Sequence, residues 1–126
     1  MTKHKTTAFT LIEVLVALLI IAIALAAAVR SVNNSVRVTV HVRNSVAAHW
    51  VGLNILSQMQ TELIPAPTVS NVTHGQVKML NQEWQWSAQA SASPDLPTVI
   101  RIVITVQLKH HVVNEVTGYI LATPTK

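Results

Sequence analysis

FTLIEVLVALLIIAIALAAAV, residues 9–29, holds a single charged side chain, Glu13. At about 1.5 Å per residue the stretch makes a helix on the order of 31 Å long, the thickness of a bilayer's hydrocarbon core. An acid at the centre of a membrane helix costs about 2.5 to 3.5 kcal/mol on insertion scales, and less toward an end, so a carboxylate retained there is expected to have a partner. The plainer alternative is a side chain that snorkels to the interface and sits favourably at the positive end of the helix dipole.

Ahead of this stretch, Met1 to Ala8 is polar and basic, with Lys3, His4 and Lys5, and is too short to fold. It reads as a leader. Its charges favour the cytoplasmic side, although Arg30, Arg37 and Arg43 follow the span and work against a simple count. Behind the span no Gly occurs before Gly52 and no Pro before Pro65, so the helix can continue outward. Ala48, Val51, Ile55, Leu56, Met59 and Leu63 fall on one side of a helical wheel, and Asn54, Ser57, Gln58 and Thr61 on the other, the pattern of a helix docked along one face. Pro65 and Pro67 are expected to end it after Ile64. Val36, Val38, Val40 and Val42 alternate with Arg37, Thr39 and His41, which taken alone reads as a strand. The helical flanks and the absence of turn residues favour helix there too.

After the prolines the texture changes to short alternating runs, with candidate strands at Gln76 to Leu80, Glu83 to Ala90, Thr98 to Leu108 and His111 to Ala122. Turns are expected at His74 with Gly75, at Asn81 with Gln82, and through Ser91 to Pro97. A long helix followed by a strand meander gives an α+β fold, an antiparallel sheet packed on the helix. The expected organisation is a leader at 1–8, a membrane-spanning half-helix at 9–29, its outer half at 30–64, and a sheet domain at 65–126.

Composition narrows the function classes. A chain of 126 residues has room for one membrane helix and one small domain. The net charge of +4 would suit nucleic acid, but the nine Lys and Arg residues are scattered and form no basic run. With no cysteine there is no disulfide frame, thiolate metal site or cysteine nucleophile. His110 and His111 are adjacent and point to opposite faces of a strand, while Asp95 and Glu115 are isolated, so neither a metal nor a calcium site is expected. No cofactor is implied. The five acids form no pair at useful spacing and no nucleophile elbow is present, so enzyme activity is not expected.

The order of features at the start, a basic leader ending in Ala8 and then Phe9, Thr10, Leu11, Ile12 and Glu13 opening the apolar run, resembles the class III signal of type IV pilins and of the pseudopilins of type II secretion. The resemblance implies that prepilin peptidase cuts between Ala8 and Phe9 and methylates the new amine of Phe9. Ala8 stands where the signature usually has Gly. Glu13 matches the signature's acid, which implies pairing with the N-terminal amine of a neighbouring subunit during assembly. Coulombic attraction in a low-dielectric layer is consistent with that role. A secretory signal with Val14 to Leu25 as its apolar core and a cut after Ala28 is the rival, releasing a soluble binding domain; Glu13 argues against it.

Further on, Ala47 to Asn54 with Leu56 and Leu63, then Gly75, Gln76, Trp84, Trp86 and the Val99 to Val106 strand, resemble the I-type minor pseudopilin, with Gly52 in place of its usual Ala. This second resemblance implies a structural protein at the tip of a periplasmic pseudopilus that drives export of folded proteins. Its partners would be J-type and K-type minor pseudopilins and the major pseudopilin. It implies a single pass through the bacterial inner membrane, N-terminus in the cytoplasm and C-terminal domain in the periplasm. A minor pilin of a type IV pilus or DNA-uptake system is the alternative. Trp50 falls opposite the docking stripe and is either a partner-facing indole or a cover for part of its own domain. Trp84 and Trp86, two residues apart, share one strand face and are expected in the core.

Overall fold

A computed structural model of the chain describes residues 8–122, so the leader expected at 1–8 lies outside the described residues apart from Ala8. One helix, α1 (Leu11–Gln60), precedes four strands, β1 (Thr73–Met79), β2 (Gln82–Ala92), β3 (Val99–Leu108) and β4 (His111–Leu121). The strands form one sheet in the order β1-β2-β3-β4 with every neighbour antiparallel, the α+β meander expected from the sequence. The chain divides into two compact units, one up to Val40 and one from His41 onward.

The first unit is helix. Every described side chain in it is exposed, and the apolar stretch is long enough to cross a membrane. The valine alternation is helical, although β-branched and hydroxyl residues are mediocre helix formers. A lone strand there would leave its backbone groups unpaired, whereas the helix pairs them internally. The hydroxyls join in: Ser35 Oγ donates to the Ser31 carbonyl at 3.0 Å and Thr39 Oγ1 to the Ser35 carbonyl at 2.9 Å.

In the second unit the end of α1 covers one face of the sheet. Ala47, Ala48, Val51, Ile55, Leu56 and Met59 are buried from the helix, recurring at three and four residues. Trp84, Trp86 and Ala88 meet them from β2, Ile102, Ile104 and Val106 from β3, and Val116 from β4, recurring at two. Both tryptophans are core residues, and the Trp84 indole N–H is satisfied by the Met79 carbonyl at 3.1 Å.

Strand β4 runs beneath the helix in the same direction and is tied to it four times. Asn114, at a bulge where the β3–β4 register shifts, donates from Nδ2 to the Ser45 carbonyl at 3.2 Å. Two turns on, Gly52 sits so close to the strand that a Cβ there would lie 2.5 Å from Val116 Cγ2. Gly118 in turn receives the Leu56 side chain in the space a Cβ would need. Gln60 Nε2 then donates to the Tyr119 carbonyl at 3.3 Å. A helix glycine takes a strand valine and a strand glycine takes a helix leucine, so the two backbones approach closely at both points.

Three local expectations are corrected. The helix ends at Gln60, not Ile64. Glu62 adopts a left-handed φ of 61° and the N–H groups of Glu62 and Leu63 bond back to Met59 and Gln58, a closed C-terminal cap that stops the helix before the prolines can. That reversal turns Leu63 out of the docking stripe, leaving it 77% exposed. His74 and Gly75 are not a turn but part of β1, where Gly75 is the cross-strand partner of Trp86. The hairpin turns are the two-residue loops Leu80–Asn81 and Lys109–His110, all four residues with positive φ as tight hairpins demand.

The Gly52–Val116 approach yields a test. A Gly52→Ala change gains about 1 kcal/mol of helix propensity but forces overpacking that costs about 1–3 kcal/mol, so a net loss of about 1 kcal/mol is expected. Combined with Val116→Ala, the double variant should be more stable than the two single losses summed, by about 1 kcal/mol. Denaturant unfolding of the full chain in detergent, followed through tryptophan fluorescence, measures both.

Candidate functional site

The start of α1 is built by four consecutive residues. Ala8, Phe9 and Thr10 are non-helical and exposed, and the helix begins at Leu11. Thr10 Oγ1 accepts the Glu13 N–H at 3.4 Å, and Glu13 Oε2 accepts the Thr10 N–H at 3.2 Å. This reciprocal pair is a capping box, in which two donors that the helix start would leave unpaired are satisfied by side chains. Glu13 also lies in the first turn, where the helix dipole favours a negative charge. The carboxylate has a second oxygen, Oε1, that carries no hydrogen bond among the described residues.

The sequence pointed to Ala8, Phe9 and Glu13, and the structure brings them within one short segment. The Ala8–Phe9 bond lies in exposed, non-helical backbone immediately ahead of the helix, with Phe9 87% exposed, which is how a cleavable bond has to be presented. Thr10 does not stand out from the sequence as a site residue, yet it completes the cap that Glu13 closes. Its signal was present: a threonine three residues before a glutamate at the head of an apolar run.

Trp50 lies in the other unit, on the outward face of α1. It is 63% exposed and shares that face with Val42, Val46 and Leu53, each three or four residues from the next and each exposed. A contiguous exposed apolar strip with an indole at its centre is the usual make-up of a protein contact. The sheet's opposite face carries Gln76, Gln85 and Gln107 in register across three strands, and its exposed apolar side chains Tyr119 and Leu121 lie at the far end of β4. Among the described residues no group of three or more His, Asp or Glu side chains gathers in one place.

Residues 42–121 match the family described as Type II secretion system (T2SS), protein I. The chain belongs to that family. Residues 3–29 match the prokaryotic N-terminal methylation motif. The Type II secretion system protein I of Pseudomonas aeruginosa strain PAO1 is 34% identical over 98 residues, which cover 73% of this chain and 71% of that protein. The chain is thus an I-type pseudopilin of type II secretion, from a family that is structural rather than catalytic. Its apolar N-terminal helix and methylation motif fit a single-pass protein of the inner membrane.

In this pseudopilin the Thr10 side chain serves the capping box through the Glu13 N–H, while the carboxylate is held by the Thr10 backbone N–H. Thr10→Ala removes one of the box's two bonds and weakens the helix start by about 1 kcal/mol. Hydrogen exchange of the full chain in micelles should then show the Glu13 amide exchanging roughly fivefold faster, while amides beyond the third helical turn keep their wild-type rates.

Proposed function

We propose that this I-type pseudopilin is processed between Ala8 and Phe9 by prepilin peptidase, methylated on the new Phe9 amine, and assembled at the tip of a periplasmic pseudopilus. It helps to initiate that filament together with J-type and K-type minor pseudopilins and the major pseudopilin, and the filament drives export of folded proteins. The organisation that goes with this is a leader at 1–8, a span at 9–29 with its N-terminus in the cytoplasm, and a periplasmic domain beyond. The chain carries out no catalysis of its own and uses no cofactor.

The observation that supports this reading most is the position of the Glu13 carboxylate. The capping box holds it against the Thr10 N–H, one residue from the nitrogen that a cut after Ala8 would convert to an amine. One carboxylate oxygen is taken up by the cap, and the other makes no hydrogen bond among the described residues and is open to a cation. Inside an apolar layer, the N-terminal ammonium of an adjacent subunit is the counter-charge that neutralises both groups at once. The lateral register of subunits then follows from where Glu13 sits, one turn into the helix.

Glu13→Gln preserves the shape and much of the cap but removes the charge. The variant should insert in the membrane and lose its leader normally, with the mature mass corresponding to methylated Phe9, while pseudopilus formation and secretion fall at least tenfold. Filaments and secretion at wild-type level would show that the carboxylate has no assembly role.

The outward strip of the second unit is assigned to partner choice. Trp50→Ala should weaken co-purification with the J-type and K-type pseudopilins by about tenfold, the loss typical of a central aromatic anchor. It should leave the unfolding free energy within about 0.5 kcal/mol of wild type. A large loss of stability would place Trp50 in its own domain's packing instead.

A further inference from the structure

Between Glu13 and Glu62 the chain contains no acidic residue, yet Arg30, Arg37 and Arg43 lie in that interval. The first of these, Arg30, comes immediately after the last apolar residue of the span, Val29. Within the first unit, Arg30, Asn33, Asn34 and Arg37 are separated by three, four and seven residues, so all four lie on one face of α1. All four side chains are exposed.

The rest of the helix circumference at this level is different. Val29, Val32, Val36 and Val40 present branched hydrocarbon, and the hydroxyls of Ser35 and Thr39 are already bonded to carbonyls one turn back. Those are the side-chain hydrogen bonds of this stretch among the described residues, so the guanidinium and amide groups of the stripe keep their donors free. A narrow stripe of cations and amides flanked by valines, directly after an uncharged apolar stretch, stands where long arginine stems can reach headgroups.

Depth decides what the stripe meets. If 9–29 fills the hydrocarbon layer, Arg30 stands at its boundary, and Asn33 and Asn34 lie about 4.5–6 Å beyond it, inside the headgroup layer. Arg37 lies about 10.5 Å out and reaches back along its flexible stem. Membrane helices tilt by about 20° on average, which turns one side of an emerging helix toward the headgroups.

We propose that Arg30, Asn33, Asn34 and Arg37 form a binding site for the phosphate of anionic phospholipid headgroups, and that this contact selects which side of the helix leans onto the bilayer. The guanidinium forks pair with phosphate oxygens bidentately, and the amides donate to the same group or to the glycerol esters. The proposal rests on the reading that residues 9–29 span the membrane.

The test uses the full chain, purified in detergent and presented with equimolar phosphatidylglycerol and phosphatidylcholine, with bound lipid counted by native mass spectrometry. Wild type should retain phosphatidylglycerol over phosphatidylcholine by at least tenfold, and the preference should decline as ionic strength rises. Arg30→Gln with Arg37→Gln should bring the ratio close to one, Arg30→Lys with Arg37→Lys should keep most of it, and Arg43→Gln, beyond reach of the headgroups, should leave it unchanged. An undiminished preference in the double Gln variant overturns the proposal. So does a double Gln variant that keeps its lipid preference but loses co-purification with other pseudopilins, since the stripe would then face an acidic protein surface. Alkaline flotation of the same proteins in vesicles separates the two failures: if wild type is extracted from the membrane, the spanning reading itself is wrong.

Discussion

Moving a carboxylate into hydrocarbon costs several kcal/mol when nothing receives it, and Glu13 sits one turn inside an otherwise uncharged helix. The chain meets this constraint twice over. Within the subunit, Thr10 and the first-turn geometry take one carboxylate oxygen into a cap that also begins the helix cleanly. In the proposed assembly, the remaining oxygen, which has no hydrogen bond among the described residues, and the negative charge would meet a neighbour's cation created by the leader's removal. Under the proposed processing and assembly, placement of the acid at the third helical position would couple where the helix starts, where the chain is cut, and how far one subunit slides along the next.

The remainder of the fold follows from giving one helix two unrelated apolar surfaces. Over its first turns the hydrocarbon runs all the way around, and the described side chains there are exposed. Over its last turns it narrows to the stripe from Ala47 to Met59, and the sheet covers it. Strand β4 fixes that seam through Asn114, Gly52 against Val116, Leu56 against Gly118, and Gln60. Because the seam uses only one side of the helix, Val42, Val46, Trp50 and Leu53 remain on the other as a ready contact surface. A family whose members work by packing against one another needs both sides: one to hold the domain together and one to offer to a neighbour.

Much of this is written openly in the residues. Apolarity from Phe9 to Val29 around a lone acid states a helix long and apolar enough to cross a membrane, with its odd charge, and the three-four spacing of Ala48, Val51, Ile55, Leu56 and Met59 states the docked face. Period-two placement put Trp84 and Trp86 in the core correctly. Leu63 misled because wheel geometry assumes the helix continues, and the left-handed backbone at Glu62 ends it first. His74–Gly75 misled because glycine here serves the packing of Trp86 across the strand pair rather than a turn, a fact that depends on register and is invisible along a single strand. The Gly52 and Gly118 sockets could not be read at all, since nothing local says which strand lies under which turn of the helix. Thr10 was legible and overlooked, its cap overshadowed by the charge it holds.

The proposed assembly requires Glu13 to leave the free side of its cap to a neighbour's amine. Assembled pseudopili treated with a water-soluble carbodiimide, which joins a carboxylate to an amine only when the two are in contact, interrogate that pairing directly. Peptide mass spectrometry should find Glu13 joined to the N-terminal amine of a different subunit. A Glu13 joined only to the amine of its own Phe9, or to no amine at all, would contradict it.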